Sequence, residues 1–160
     1  MEIKFSSIGV IHSPFTDLSE MPIQPTGESS APGTAEIFPE FLEGLKDLDG
    51  FSHVILIYQF HKVKQKKLMV TPFLDSEPHG VFATRAPVRP NSIGLSVVSL
   101  ERIEGAELFF GNLDILDGTP LLDIKPYIPV FDQPEEVRMG WLEKNQQSVR
   151  EMKSDRRFAG

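Results

Sequence analysis

Phe51-Ser52-His53-Val54-Ile55-Leu56-Ile57-Tyr58-Gln59-Phe60 is the stretch that decides the fold class. Val54, Leu56, Tyr58 and Phe60 share one parity, and His53, Ile55, Ile57, Gln59 and His61 share the other. In an extended chain the two sets face opposite ways. Both are apolar in the middle, which marks a strand central to its sheet. Upstream, residues 3–11 alternate and carry β-branched side chains up to His12-Ser13-Pro14, and read as a strand. Residues 16–33 hold Pro22, Pro25, Gly27, Pro32 and Gly33. They read as a loop of about 18 residues, a length usually tied to function or disorder. Residues 35–38 read as a short strand. Pro39 then opens a helix, with Phe41, Leu42, Leu45 and Leu48 at helical spacing and Asp49-Gly50 as its stop. Downstream, residues 67–73, 81–84, 93–103, 107–110 and 121–125 read as further strands, with Glu104-Gly105 as a turn. Gln133-Pro134-Glu135-Glu136 resembles a helix start, and Val137, Trp141, Leu142, Val149 and Met152 recur near the helical period.

Six or seven strands in so short a chain must hide their edges, so the expected fold is mainly β. It is a small single-domain β-barrel over residues 1–132 with one or two flanking helices, followed by a helical tail over 133–160. A length of 160 residues suits one domain. The longest apolar run, Val54 to Tyr58, falls far short of the roughly 18 residues a spanning helix needs. Met1-Glu2-Ile3-Lys4-Phe5 lacks the layout of a secretory signal. The absence of cysteine excludes disulfides, thiolate zinc sites and cysteine nucleophiles. A cytoplasmic protein is the expectation. The net charge of −7 argues against a surface that coats nucleic acid, although two local patches are basic. One is Lys62-Val63-Lys64-Gln65-Lys66-Lys67; the other is the tail from Arg150 to Arg157.

Two constellations carry candidate chemistry. In Val81-Phe82-Ala83-Thr84-Arg85-Ala86-Pro87-Val88-Arg89-Pro90-Asn91-Ser92, two prolines stiffen a segment bearing two arginines four apart. Such a segment holds guanidinium forks ready for a carboxylate or other anion; its bland reading is a rigid connection with solvated arginines. In Asn112-Leu113-Asp114-Ile115-Leu116-Asp117-Gly118-Thr119-Pro120, two aspartates flank two apolar residues, a pattern suited to ribose hydroxyls or amino groups. The competing reading there is a turn in which Asp117 organises Gly118. His53 and His61 share a parity but lie more than roughly 20 Å apart along a strand, so they cannot ligate one ion, and no metal site is expected. Walker A, Gly-x-Gly-x-x-Gly and Gly-x-Ser-x-Gly motifs are absent from the sequence.

Ile8-Gly9-Val10-Ile11-His12-Ser13-Pro14-Phe15 resembles the N-terminal signature of the TsaA-like, or TrmO, family of tRNA methyltransferases. Residues 45–61, LKDLDGFSHVILIYQFH, resemble a second family motif. Residues 81–96, VFATRAPVRPNSIGLS, are similar to its most specific one, and residues 113–129, LDILDGTPLLDIKPYIP, to its last. The resemblance implies a β-barrel methyltransferase that uses S-adenosylmethionine, is commonly a homodimer, and methylates N6 of N6-threonylcarbamoyladenosine at tRNA position 37. The cofactor pocket it implies draws on Gln24, Pro25 and Thr26 of the long loop, where only Gln-Pro matches, and on His61 and Lys62 after the central strand. It adds Arg85, Leu95, and the run Asp114, Ile115, Leu116, Asp117. On the substrate side the expected residues are Arg89, Asn91, Lys64, Lys66 and Lys67, with Asp117 the candidate base. Two other readings stand beside this one: a methyltransferase with a different acceptor, and a non-catalytic module that binds S-adenosylmethionine or a nucleotide.

Overall fold

A computed structural model describes residues 1–17, 31–72 and 75–145. Six strands form a closed barrel: β1 (Gly9–His12), β2 (Ala31–Ile37), β3 (His53–Gln59), β6 (Ile93–Glu104), β7 (Glu107–Leu113) and β8 (Thr119–Pro126). Their order around the barrel is β1-β2-β7-β6-β3-β8, and every neighbouring pair is antiparallel. β3 is central as expected, paired to β6 through His53↔Ser99 to Gln59↔Ile93 and to β8 on its other side. Val54, Leu56 and Tyr58 point inward and are buried, joined in the core by Ile11, Ile37, Val98 and Phe110. A barrel this narrow is filled by its own side chains. Register shifts between Ala31 and Gly33, Ile57 and Tyr58, and Leu100 and Arg102 supply local bends that closure requires.

Several elements differ from the sequence expectation. The first strand is only Gly9–His12, because beyond Phe38, which donates its N–H to the Ile8 carbonyl, the neighbouring chain turns away. Ile3 and Phe5 are left 64% and 68% exposed. The second strand starts at Ala31 and takes in Pro32 and Gly33, longer than the stretch 35–38. The helix at Pro39 is a 3-10 helix, Pro39–Leu45, followed by a second, Leu48–Gly50. Its spacing still serves its purpose: Leu42, Leu45 and Leu48 pack against the core at one end of the barrel. Of residues 67–73 only β4 (Met69–Val70) is strand, in a two-stranded ribbon with β5 (His79–Gly80). Residues 81–84 are not a strand either; Val81–Ala83 is a 3-10 helix whose Val81 carbonyl accepts from the Thr84 hydroxyl and from Arg89. Such local side-chain bonds compete with a ladder.

After β8 a four-residue helix, α1 (Pro129–Asp132), precedes the expected helix start at Gln133, and residues 133–139 form no helix. A 3-10 helix, Gly140–Asn145, follows; the expected tail beyond 145 lies outside the described residues. Trp141 ties this segment back to the chain between β3 and β6. Its ring stacks on His79 at 4.6 Å, and its Nε1 donates to the Ala83 carbonyl at 2.8 Å.

Antiparallel alternation has one consequence for function. The connections β1–β2 (13–30), β3–β6 (60–92) and β7–β8 (114–118) all leave from the same end of the barrel. The 3-10 helices of residues 39–50 cover the other end. The loops carrying the Arg-Pro-Asn and Asp-x-x-Asp patterns therefore meet at the end opposite those helices, together with the start of the long loop.

Candidate functional site

Asp114 directly follows β7 and is 8% exposed, one of three buried polar residues among those described. The Ser96 hydroxyl, inward on β6, donates to Asp114 Oδ1 at 2.6 Å. With its one proton so used, Ser96 accepts the Tyr58 hydroxyl, 3.0 Å away on β3. Burial pushes the Asp114 carboxyl up to about 6, while Ser96 and the positive charge of Arg85 hold it down. Burial and the Asp114 charge also push the Tyr58 hydroxyl well above its ordinary value, so it remains a donor. Gly94 makes room for this chain of bonds. It pairs opposite Tyr58, and a Cβ there would run into the Tyr58 ring.

The β7–β8 loop is fastened to the end of β1. The Ser13 hydroxyl donates to the Ile115 carbonyl at 2.6 Å, and the Ser13 N–H to Asp117 Oδ1 at 3.2 Å. Asp117 returns its own N–H to the Phe15 carbonyl, and Gly118, at φ +72°, gives its N–H to Ile11. His12 Nδ1 lies 3.5 Å from Asp117 Oδ1. The turn at Gly118 is thus braced from β1, and Asp117 remains half-exposed at the rim. Ile115 and Leu116 bury their side chains in the barrel end.

His61 lies two residues past β3. Its Nδ1 sits 3.2 Å from the hydroxyl of Thr119, which donates to the Leu116 carbonyl at 2.7 Å. Burial and the neighbouring Lys62 charge lower the His61 pKa from 6.5, opposed by Asp117. Arg85 is exposed, and its charge reaches both Asp114 and Tyr58. Arg89 is turned into its own loop: Nη1 donates to the carbonyls of Val81, Thr84 and Ala86, at 3.1, 2.7 and 3.4 Å, and the guanidinium lies 5.9 Å from the Phe82 ring centre. Lys62, Lys64, Lys66, Lys67 and Asn91 are exposed. Leu95, 49% exposed, faces outward on β6, opposite in parity to the buried Ser96. Gln24, Pro25 and Thr26 lie outside the described residues.

The fold therefore brings His61, Arg85, Asp114 and Asp117 to one end, and sets Leu95 on the outer wall. Sequence reading overlooked Tyr58, Ser96 and Thr119 as contributors. The signal was present for two of them: Ser96 and Tyr58 are polar residues on the inward parity of otherwise apolar strands. A buried carboxylate accepts hydrogen bonds from an ammonium or a hydroxyl, and a guanidinium beside it pairs with a carboxylate. That donor set fits the amino acid and ribose parts of S-adenosylmethionine. Among the described residues no three His, Asp or Glu side chains gather as a metal site, and no helix is long and apolar enough to cross a membrane.

Fold and side chains together define a small antiparallel β-barrel with a cluster of polar residues at its loop-bearing end. The chain belongs to the tRNA-methyltransferase O family, whose N-terminal domain matches residues 10–133. It is 56% identical over 156 residues to a protein of Pyrococcus abyssi named "probable S-adenosyl-L-methionine-binding protein", covering 98% of this chain and 85% of that one. It is 37% identical over 137 residues to the human tRNA (adenine(37)-N6)-methyltransferase, covering 81% of this chain and 31% of the human protein. The crystal structure of TrmO from Pseudomonas aeruginosa superposes with a TM-score of 0.74 at 42% identity, over 88% of this chain and 63% of the other. The chain thus spans less than two thirds of the human and Pseudomonas proteins.

Proposed function

We propose that this chain is an S-adenosylmethionine-dependent tRNA methyltransferase acting on N6 of N6-threonylcarbamoyladenosine at position 37. The observation that carries the reading is the buried Asp114, which accepts from Ser96, itself bonded by Tyr58, and feels the charge of Arg85, at the end of a family barrel. Arg85 binds the methionine carboxylate, and Asp114 accepts from the methionine ammonium or a ribose hydroxyl. His61, Lys62 and the Asp114–Asp117 loop complete the pocket, with Gln24, Pro25 and Thr26 contributed by the long loop; Leu95, outward on β6, would reach the cofactor only from the outer wall. When bound, the cofactor supplies an electrophilic methyl group on a sulfonium. The protein orients the acceptor nitrogen in line with it, and orientation of this kind accounts for much of an enzyme's acceleration.

Lys64, Lys66, Lys67 and Asn91 face the tRNA backbone and anticodon loop. Arg89, turned into its own loop, shapes the segment that presents Arg85. A cytoplasmic homodimer would present the lysine segment twice, giving the tRNA two local basic patches on a chain of net charge −7. Leu68, Phe82, Ile93 and Leu95, apolar and exposed in and beside the β3–β6 connection, suit cover by a second copy.

The test is incubation with labelled S-adenosylmethionine and tRNA, with or without threonylcarbamoyladenosine, followed by nucleoside mass analysis. Methyl on that nucleoside alone is the expected result. Tight cofactor binding without any methylated nucleoside would favour the second reading, a cofactor-binding module, which the acidic net charge supports.

A further inference from the structure

We propose that His61, through Nε2, accepts the proton that the acceptor nitrogen gives up during methyl transfer, and that Thr119 is the residue that makes Nε2 available. This rests on the methyltransferase reading above and adds a catalytic residue to it. The argument begins with the Thr119 hydroxyl, which has one proton. Thr119 is buried at the first position of β8, and its hydroxyl donates to the Leu116 carbonyl at 2.7 Å. Towards His61 Nδ1, 3.2 Å away, it can only accept. The neutral imidazole therefore carries its proton on Nδ1 and its lone pair on Nε2. Nε2 has no hydrogen-bond partner among the described residues.

The charged groups acting on this ring are Lys62 beside it and Asp117 on the β7–β8 loop. Burial and Lys62 outweigh Asp117 and keep the ring neutral near pH 7, the form that accepts a proton. Asp117 has one carboxylate oxygen already engaged. Its Oδ1 already takes the Ser13 N–H, and His12 stands 3.5 Å from the same oxygen.

The proton balance is simple. The acceptor nitrogen forms a bond to the methyl carbon as the carbon–sulfur bond breaks onto sulfur. The N–H pair stays on nitrogen, and its proton goes to Nε2. His61 then holds the proton, its new charge facing Asp117, until water removes it.

The test compares the unaltered protein with His61→Asn, His61→Gln, Thr119→Val, Thr119→Ser and Asp117→Asn. Nitrogen-15 NMR of labelled histidine reads the tautomer without any turnover. His61 should appear protonated on Nδ1 in the unaltered protein and in Thr119→Ser, and as a mixture in Thr119→Val. Turnover at saturating cofactor and tRNA should fall about 100-fold in His61→Asn and His61→Gln, the lower end for a general base. Cofactor affinity by calorimetry should fall less than turnover does in His61→Asn, whose amide still reaches Thr119.

The pH profile separates this role from a structural one. Asp114 titrates near 6 and should shape the cofactor affinity. His61 should shape turnover at saturation, which falls as pH drops below its pKa. That acid limb should vanish in His61→Asn and survive in Asp117→Asn. Retention of the limb in His61→Asn, unchanged turnover, or a loss confined to cofactor affinity would overturn the assignment. A Nδ1-unprotonated ring in the unaltered protein would overturn it as well. Failure of the unaltered protein to methylate any tRNA would instead overturn the underlying functional reading, and the assignment with it.

Discussion

Asp114→Asn should stabilise the protein while removing its cofactor site. A carboxyl held at about 6 in the fold, against an ordinary 3.8, binds protons more tightly folded than unfolded. Stability contributed by such a group is present below pH 4 and is lost as pH rises through 6. At neutral pH the cost is on the order of 3 kcal/mol. Asparagine retains an oxygen that accepts from Ser96, so the Tyr58–Ser96 chain persists without the buried charge. The variant should then be more stable than the unaltered protein by about 1–3 kcal/mol at pH 7.5, a melting temperature higher by roughly 3–10 °C. At pH 4 the difference should shrink to within about 0.5 kcal/mol, because the folded carboxyl is neutral there and only the unfolded chain is partly ionised. Urea unfolding of the cofactor-free proteins at pH 4, 5, 6 and 7.5 gives the difference directly, and taking the difference cancels the titration of other carboxylates. Calorimetry should show cofactor affinity reduced at least tenfold. Equal stability of the two proteins at every pH, or a variant less stable at pH 7.5, would refute the claim that Asp114 is a costly buried charge kept for binding.

The other expectations follow from the same geometry. Arg85→Ala should weaken cofactor binding at least tenfold and raise the Asp114 titration further, since Arg85 holds it down; near-normal binding by calorimetry would sink that role. Arg89→Ala frees three loop carbonyls and should cost about 1–2 kcal/mol in urea unfolding, with turnover falling more than cofactor affinity. An unchanged unfolding midpoint would count against the loop-bracing role. Gly94→Ala places a Cβ against the Tyr58 ring and should cost about 1–3 kcal/mol, most of it recovered when Tyr58→Ala is made in the same chain; simple additivity of the two losses would contradict the collision.

Local pattern alone determined much of this protein. The alternation around Val54, Leu56 and Tyr58 identified β3 and its inward face, and the same rule located β6 and the turn at Glu104-Gly105. The order of the motifs from Ile8 to Pro129 pointed to the family. Strand periodicity is a local property, written two residues at a time, so it survives in a bare sequence. The helix at Pro39 failed differently. Its leucines were correctly read as core-facing, but leucine spacing does not distinguish an α-helix from a 3-10 helix.

Closure of the barrel decided the rest. Ser96 reaches Asp114 across 18 residues, Tyr58 reaches Ser96 across 38, His61 meets Thr119 across 58, and Ser13 meets Asp117 across 104. No short-range rule links these positions, and only the β1-β2-β7-β6-β3-β8 order gathers their loops at one end. Two contacts at the site are local instead: Arg89 braces its own loop, and the Thr119 hydroxyl is committed to Leu116 three residues back. A sequence names the acids, bases and arginines a site can use. Which carboxylate is buried, and which histidine nitrogen keeps its lone pair, depends on hydrogen bonds that form only when distant strands meet.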